Sequence, residues 1–388
     1  MRKNLFAVLL GAGLLVVAGV LSDAGQEDMT PLGLPPVPIP EDNPQTPEKI
    51  ALGDKLYNET RFSTTGEVGC FTCHEPAKAF TDSPLKVSEG IEQKTGTRNS
   101  PTVINSAYFT TQFWDGRSPD LEDQALHPFI NPVEHGLVDH EPILKIVRKD
   151  PEYAKAFKDV FGKSGKEITM REVTLAIASF ERTIISGNSP FDHFYYGGKE
   201  DALTEQQKRG FDLFLNEGRC VSCHVIEQTQ AIFTDNRFHN IGVGISNIQG
   251  DVPELASKFF KADMTLSEVD VEVLTDPRTS ELGRFAISHD FDDLGSFKTP
   301  TLRNIAVTAP YMHDGSIETL EDVMIHYNNG GVTEVGDPVN DFLSGGIRSL
   351  DLDEEQIDDL VAFMEALTSP EFEQPAEEAG GQKGGSRD

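Results

Sequence analysis

Cys70-Phe71-Thr72-Cys73-His74 and Cys220-Val221-Ser222-Cys223-His224 hold all four cysteines of the chain. C-x-x-C-H is the attachment signature of c-type haem, in which each thiol adds to a vinyl group and the adjacent imidazole lies under the iron. A redox dithiol would not need histidine at the fifth place twice. A zinc site built from all four thiolates would have to close over a separation of 147 positions from Cys73 to Cys220. Two copies with no cysteine left over imply two covalently bound haems, His74 being the ligand of the first iron and His224 of the second.

Working outward from these motifs, the chain repeats. A shift of 199 residues lays Pro101-Thr102-Val103-Ile104-Asn105 on Pro300-Thr301-Leu302-Arg303-Asn304, Asp115-Gly116 on Asp314-Gly315, and Leu121-Glu122-Asp123 on Leu320-Glu321-Asp322, all without a gap. The haem motifs themselves are only 150 apart, so about 49 extra residues fall between Cys223 and Pro300, and the acidic stretch Gly250 to Asp293 is where they are expected. The fold class that follows is mostly α, two cytochrome c-like haem domains in tandem with irregular loops.

Local signals set the boundaries. Arg2 and Lys3 precede an uncharged run to Leu21, and Ser22-Asp23-Ala24 offers small residues, so 1–24 reads as a secretory signal peptide; an uncleaved membrane anchor is the alternative. Either way the body is exported, which suits haem attachment outside the cytoplasm, and a periplasmic location with no stable membrane insertion after cleavage is expected. Residues 25–45 carry Pro31, Pro35, Pro36, Pro38 and Pro40 and read as an extended arm. Thr46 with Pro47 starts a helix, Thr169 with Glu172 forms a capping box, Thr204 with Gln207 forms another, and Ile357, Leu360, Val361 and Met364 line one helix face. Accordingly 46–186 is the N-terminal haem domain, 187–202 a linker, 203–369 the C-terminal haem domain and 370–388 a disordered tail. Over 388 residues the formal charge of −31 repels phosphate backbones and argues against nucleic acid as a partner.

A haem iron either has a sixth ligand or keeps a vacancy where chemistry occurs. One residue past the matched His127 and His326, the first half has Pro128 and the second has Tyr327. If this position overhangs the iron, tyrosine oxygen ligates haem 2 and proline leaves haem 1 open. Met312, His313, Met324 and His326 are the rival ligands of haem 2. Near Pro128, Gln124 can donate a hydrogen bond, and Glu134 can take a proton from hydrogen peroxide and return it to the far oxygen. His127, His135 and His140 are rival bases. Trp114, the sole tryptophan, is a candidate electron relay between the haems.

These residues resemble the bacterial di-haem cytochrome c peroxidases, and within them the MauG-like branch, from about Pro35 to Ser369. The resemblance is carried by Ala79-Phe80-Thr81-Asp82, Arg98-Asn99-Ser100-Pro101-Thr102, Phe113-Trp114-Asp115-Gly116-Arg117, Asn131-Pro132-Val133-Glu134, Pro310-Tyr311-Met312-His313-Asp314-Gly315 and His326-Tyr327-Asn328-Asn329-Gly330-Gly331. It implies a peroxidatic N-terminal haem, an electron-transfer C-terminal haem, Gln124 and Glu134 in the distal pocket and Trp114 between the haems. It also implies a calcium ion on main-chain oxygens of Asn99, Thr308 and Pro310. Family members that switch on by reduction carry a histidine in the loop before Arg98 and a methionine over haem 2. Here Ser88-Glu89-Gly90 is followed by Ile91, and Tyr327 stands for the methionine; both changes resemble MauG.

The expected activity is that of a di-haem peroxidase, reacting with hydrogen peroxide at haem 1 and drawing electrons through haem 2 from a small cytochrome c or cupredoxin. The alternative is a MauG-like enzyme that forms high-valent iron on both haems and oxidises side chains of a partner protein. A third class, a non-catalytic electron carrier, is disfavoured by the missing ligand at haem 1. The oligomeric state is not encoded in any motif.

Overall fold

Helix starts follow the capping residues. Thr46 Oγ1 accepts from the Lys49 N–H at 3.2 Å and Pro47 occupies the first turn, opening helix Pro47–Tyr57. Thr169 and Glu172 cap Met170–Glu181 reciprocally, the Thr169 N–H donating to Glu172 Oε2 at 2.8 Å. Glu205–Leu215 and Glu354–Glu365 begin with the same device, at Thr204 with Gln207 and at Asp353 with Gln356. The computed structural model describes residues 30–260 and 264–373. The fold is mostly helical, with 44% helix, and among the described residues one antiparallel ladder pairs Phe238–His239 with Phe297–Lys298.

Each half is built on one helix pair. Pro47–Tyr57 crosses Met170–Glu181 in the first half, and Glu205–Leu215 crosses Glu354–Glu365 in the second. Both crossings turn on a glycine. A Cβ on Gly53 would stand 1.9 Å from the Ala176 carbonyl oxygen, and one on Gly210 would stand 1.9 Å from that of Asp359. The first core gathers Phe62, Phe129, Tyr153, Phe157, Val173 and Ile177; the second gathers Phe191, Phe214, Phe233, Met324, Leu360 and Phe363.

The duplication is visible in the backbone at the same 199-residue shift. Asn105 and Asn304 are both left-handed (φ 64° and 61°), the bridges Gln112↔Ser118 and Tyr311↔Ile317 correspond, and Phe113 and Met312 share a positive φ. The surplus in the second half, expected at Gly250 to Asp293, folds around its own small core from Ile245 to Leu294, including Phe259, Val273 and Phe285.

The 187–202 segment, expected as a linker, is a packed one: it carries helix Pro190–Tyr195, buries Phe191 in the second core and sends Asp192 to Arg303. That ion pair is bidentate, at 2.8 and 2.9 Å, and fully buried; Arg303 also donates to the carbonyls of Gly33 and Ala231 at 2.8 and 2.7 Å. The described part of the N-terminal arm is thereby bound to the second half, while its Asn43 donates to Glu122 at 2.6 Å in the first. The tail does not lose order at residue 370, because Pro370–Phe372 forms a 3-10 turn and Phe372 packs against the cluster of Ala79, Val103, Ile104 and Ile184. The signal segment 1–24 and residues 374–388 lie outside the described residues. No helix among the described residues is long and apolar enough to cross a membrane.

Gly53→Ala and Gly210→Ala should each lower unfolding free energy by roughly 1–3 kcal/mol, the cost of overpacking. The gain in helix propensity, about 1 kcal/mol, is too small to offset a methyl driven into a carbonyl. Gly96→Ala, where an added Cβ meets nothing within 4 Å, should stay within about 0.5 kcal/mol of the parent in the same denaturant titration.

Candidate functional site

Each haem motif lies in the wall of a cavity. Cys220, Cys223 and His224 border one of about 500 Å³, and Cys70, Cys73 and His74 border a second of about 170 Å³. All four thiols are free of disulfides. The imidazoles are the test of whether these motifs suit haem. His74 Nδ1 lies 3.2 Å from the Phe80 carbonyl and His224 Nδ1 lies 2.9 Å from that of Phe233. A carbonyl only accepts, so Nδ1 carries the proton in both rings and Nε2 is left with its lone pair, the form an iron ligand needs. Burial pushes both imidazoles toward neutrality, His74 down to about 4. The donors fit haem at both sites; at the smaller cavity the fit rests on them and not on volume.

The repeated Pro-Thr motif explains how those carbonyls are aimed. Thr102 Oγ1 donates to the Ala79 carbonyl at 2.7 Å, and its counterpart Thr301 donates to that of Ile232 at 2.7 Å. Each hydroxyl pins the residue before the phenylalanine whose carbonyl orients the histidine. In the first half Ser100 Oγ adds a bond to the Cys73 carbonyl at 2.7 Å and stands 3.2 Å from His74 Nδ1.

Residues 99–102 and 112–114 border both cavities, so the two sites share a wall. Trp114 is in that wall, and its indole N–H donates to the Asn99 carbonyl at 2.9 Å. Lys298 fixes the other side of this tryptophan, its backbone N–H donating to the Trp114 carbonyl at 2.7 Å. Asn99, Thr308 and Pro310 all border the larger cavity, but the main-chain oxygen of Asn99 is already the acceptor for the indole. The Asn99 amide nitrogen turns to the carbonyls of Leu85 and Lys86, at 3.4 and 3.2 Å.

Gln124, Pro128 and Glu134 meet at the smaller cavity. The Glu134 carboxyl accepts no hydrogen bond among the described residues, and burial pushes it up to about 7 against the pull of Arg117. Of the rival histidines, His127 has both ring nitrogens engaged, and His135 and His140 one each. Both ring nitrogens of His127 face carboxylates, Nδ1 that of Asp270 at 2.5 Å and Nε2 that of Asp123 at 3.3 Å. His135 Nδ1 lies 3.0 Å from the Phe62 carbonyl and His140 Nε2 lies 2.9 Å from that of Leu126. Ile91 is buried against the position of Gly136, and its N–H donates to the Glu134 carbonyl at 3.0 Å. From this loop Ser88 and Gly90, neither a nitrogen nor a sulfur ligand, reach the cavity border.

At the larger cavity Tyr327 stands with His224, and its hydroxyl makes no hydrogen bond among the described residues. Of the rivals, His313 borders the cavity with Nε2 2.8 Å from Glu281 and its ring stacked on Phe297, whereas His326, its Nε2 2.8 Å from the Ile241 carbonyl, is not among the residues that border it. Met312 and Met324 still border the cavity. Sequence reading missed Glu181, a buried carboxyl at the smaller cavity whose Oε2 is unpartnered and whose pKa burial raises to about 8. It also missed Asp270 and Lys298. Glu181 and Asp270 sit on helices whose periodicity marks only a buried face, and nothing in the spacing says what that face meets.

Residues 47–201 match the model of the di-haem cytochrome c peroxidases. The chain is 35% identical over 355 residues to a cytochrome-c peroxidase, IdrP1, of Denitromonas iodatirespirans, covering 90% of this chain and 89% of that one. It is also 35% identical over 355 residues to the methylamine utilization protein MauG of Methylorubrum extorquens, covering 90% and 88%. Among solved structures, a MauG-like protein associated with microbial copper homeostasis superposes with a TM-score of 0.70 at 31% identity, covering 90% of this chain and 99% of that one. With paired C-x-x-C-H imidazoles each held for iron and relatives of this identity along most of its length, the chain belongs to the di-haem cytochrome c peroxidase family, an oxidoreductase with two c-type haems.

Proposed function

We propose that this is a periplasmic peroxidase in which hydrogen peroxide is cleaved in the cavity of Glu134 and electrons arrive by way of the second haem. The observation that carries the reading is the Glu134 carboxylate: it borders the cavity of Cys70 and His74, has no hydrogen-bond partner among the described residues, and is poised near 7. Haem held by Cys70, Cys73 and His74 supplies, when bound, the iron at which the O–O bond breaks.

The chain's own residues do the rest. Glu134 takes the proton from one peroxide oxygen and delivers it to the other, so that water is the leaving group and not hydroxide. Gln124 donates its amide N–H to hold the peroxide in place. Pro128 keeps that side of the cavity free of a competing ligand. Trp114, in the wall common to both cavities, is the electron path, and its hydrogen bond to Asn99 fixes the indole plane.

The second haem is assigned to Cys220, Cys223 and His224, with the Tyr327 oxygen as its other ligand. An oxygen anion favours the higher charge on iron, whereas a thioether favours the lower. Burial, and to a lesser degree the nearby Cys220 and Cys223, drives the Tyr327 phenol well above its ordinary value, so the anion needs the metal's positive charge beside it. A calcium ion near Asn99, Thr308 and Pro310 would lie beside the shared wall. The electron donor is a small cytochrome c or cupredoxin. Tyr327 favours one further reading, a MauG-like oxidation of side chains on a partner protein.

Glu134→Gln should leave both haem spectra intact and slow peroxide cleavage about 100- to 10,000-fold, the usual range for a lost general base. In the parent, the rate of peroxide reaction in stopped flow should rise with pH through about 7, because Glu134 must be ionised to accept a proton. The variant should lose that rise; a variant within about threefold of the parent removes Glu134 from the mechanism.

Exported protein should carry two haems that resist acid-acetone extraction. Changing Cys70 and Cys73 to alanine should remove the haem that reacts with peroxide, and changing Cys220 and Cys223 should remove the other, as read by mass spectrometry of haem peptides.

Tyr327→Met should keep the second haem low-spin and raise its reduction potential. An unchanged spectrum and potential would transfer the ligand role to Met312 or Met324.

A further inference from the structure

The segment that makes the second half longer than the first packs against the first half's cavity. Helix Leu266–Thr275 lies on helix His127–Ile130, Leu274 borders the cavity of Glu134, and Thr97 Oγ1 donates to the Val273 carbonyl at 2.6 Å. Asp270 is the buried charge of this helix, 3% exposed. One of its carboxylate oxygens bonds the Arg117 Nε–H and the other the His127 Nδ1–H.

These contacts close a cluster of alternating charge. Arg98 donates to Asp115 at 2.6 Å, Arg117 donates to the same carboxylate at 3.0 and 3.1 Å, Arg117 and His127 share Asp270, and His127 reaches Asp123. His127 is an imidazolium here, since both its nitrogens face groups that only accept, and Asp270 raises its pKa. Three cations therefore meet three carboxylates, and the sum is zero. Glu134 is the carboxylate beside this cluster that no cation binds.

We infer that Asp270 is a positioning residue of the peroxide site: by occupying Arg117 and His127 together, it keeps both cations off Glu134 and leaves that carboxylate free to accept a proton. The inference rests on Glu134 being the base. Arg117 comes from the loop after Trp114, His127 from the short helix before Glu134, Asp270 from the inserted helix and Glu181 from across the cavity; Cys70 and Cys73 are uncharged once their sulfurs are thioethers. Without Asp270 the cluster would carry one net positive charge, which stabilises ionised Glu134 and weakens it as a base.

Two substitutions in the haem-loaded enzyme test this, because they change the cluster's charge in opposite senses. Asp270→Asn should move the low-pH limb of the peroxide reaction down by roughly one unit, the size of a nearby-charge effect, and lower the plateau rate roughly threefold. His127→Gln removes a cation and should move the limb up. Asp270→Glu, which keeps the charge, should restore the parent profile. A merely structural Asp270 would lower melting temperature and leave the limb where it is. If Glu134→Gln abolishes the limb while Asp270→Asn and His127→Gln fail to move it in opposite directions, the inference about Asp270 is wrong and the base assignment survives. If Glu134→Gln keeps the limb, the base assignment itself falls.

Discussion

The arrangement depends on a single bond made twice, a histidine Nδ1–H donated to a backbone carbonyl. An imidazole can serve iron through Nε2 only when Nδ1 holds the proton, and a buried ring free to turn would not present that nitrogen in one direction. His74 takes the Phe80 carbonyl and His224 that of Phe233. To aim those carbonyls each half uses a threonine from its Pro-Thr motif, Thr102 or Thr301, so the repeat that is most visible in the chain is also the support of the metal ligand. The cysteines tether the cofactor; this second layer orients it.

From that common plan the halves diverge in what borders each cavity. The first half offers an amide, a proline and an unpaired carboxyl. The second offers a phenol and two thioethers. The two cavities thus differ in chemistry through substitutions on one scaffold. The wall shared by the cavities, with Trp114 held at both its indole and its backbone, makes the two sites one device.

Charge placement adds a layer of organisation that runs across the halves. The inserted segment of the second half closes a neutral cluster of Arg98, Asp115, Arg117, Asp270, His127 and Asp123 against the first half's cavity. Burying so many charges is tolerable because each is paired and hydrogen-bonded within the cluster, where a lone ion would cost several kcal/mol. In a chain with a net charge of −31, the cations are the scarce partners, and Arg98 and Arg117 are spent in the interior.

Much was legible in the chain. Haem attachment, the count of two and the duplication follow from covalent chemistry and from identical residues at a constant shift, which hold whatever the fold. Helix starts at Thr46, Thr169 and Thr204 were legible because caps act within four residues. Spacing could not show that His127, His135, His140, His313 and His326 are tied to other groups, since each partner lies at least one turn away and mostly far along the chain. Nor could it show that segment 187–202 is packed through Phe191 and Asp192, or that Asp270 meets Arg117 across 153 residues. The sequence by itself determined what can bond covalently to haem and which short segments form helices, because those properties are local. Only the tertiary structure decided which histidines remain free for iron and which carboxylate remains free for a proton, because that depends on which groups from distant segments are brought within hydrogen-bonding distance of them.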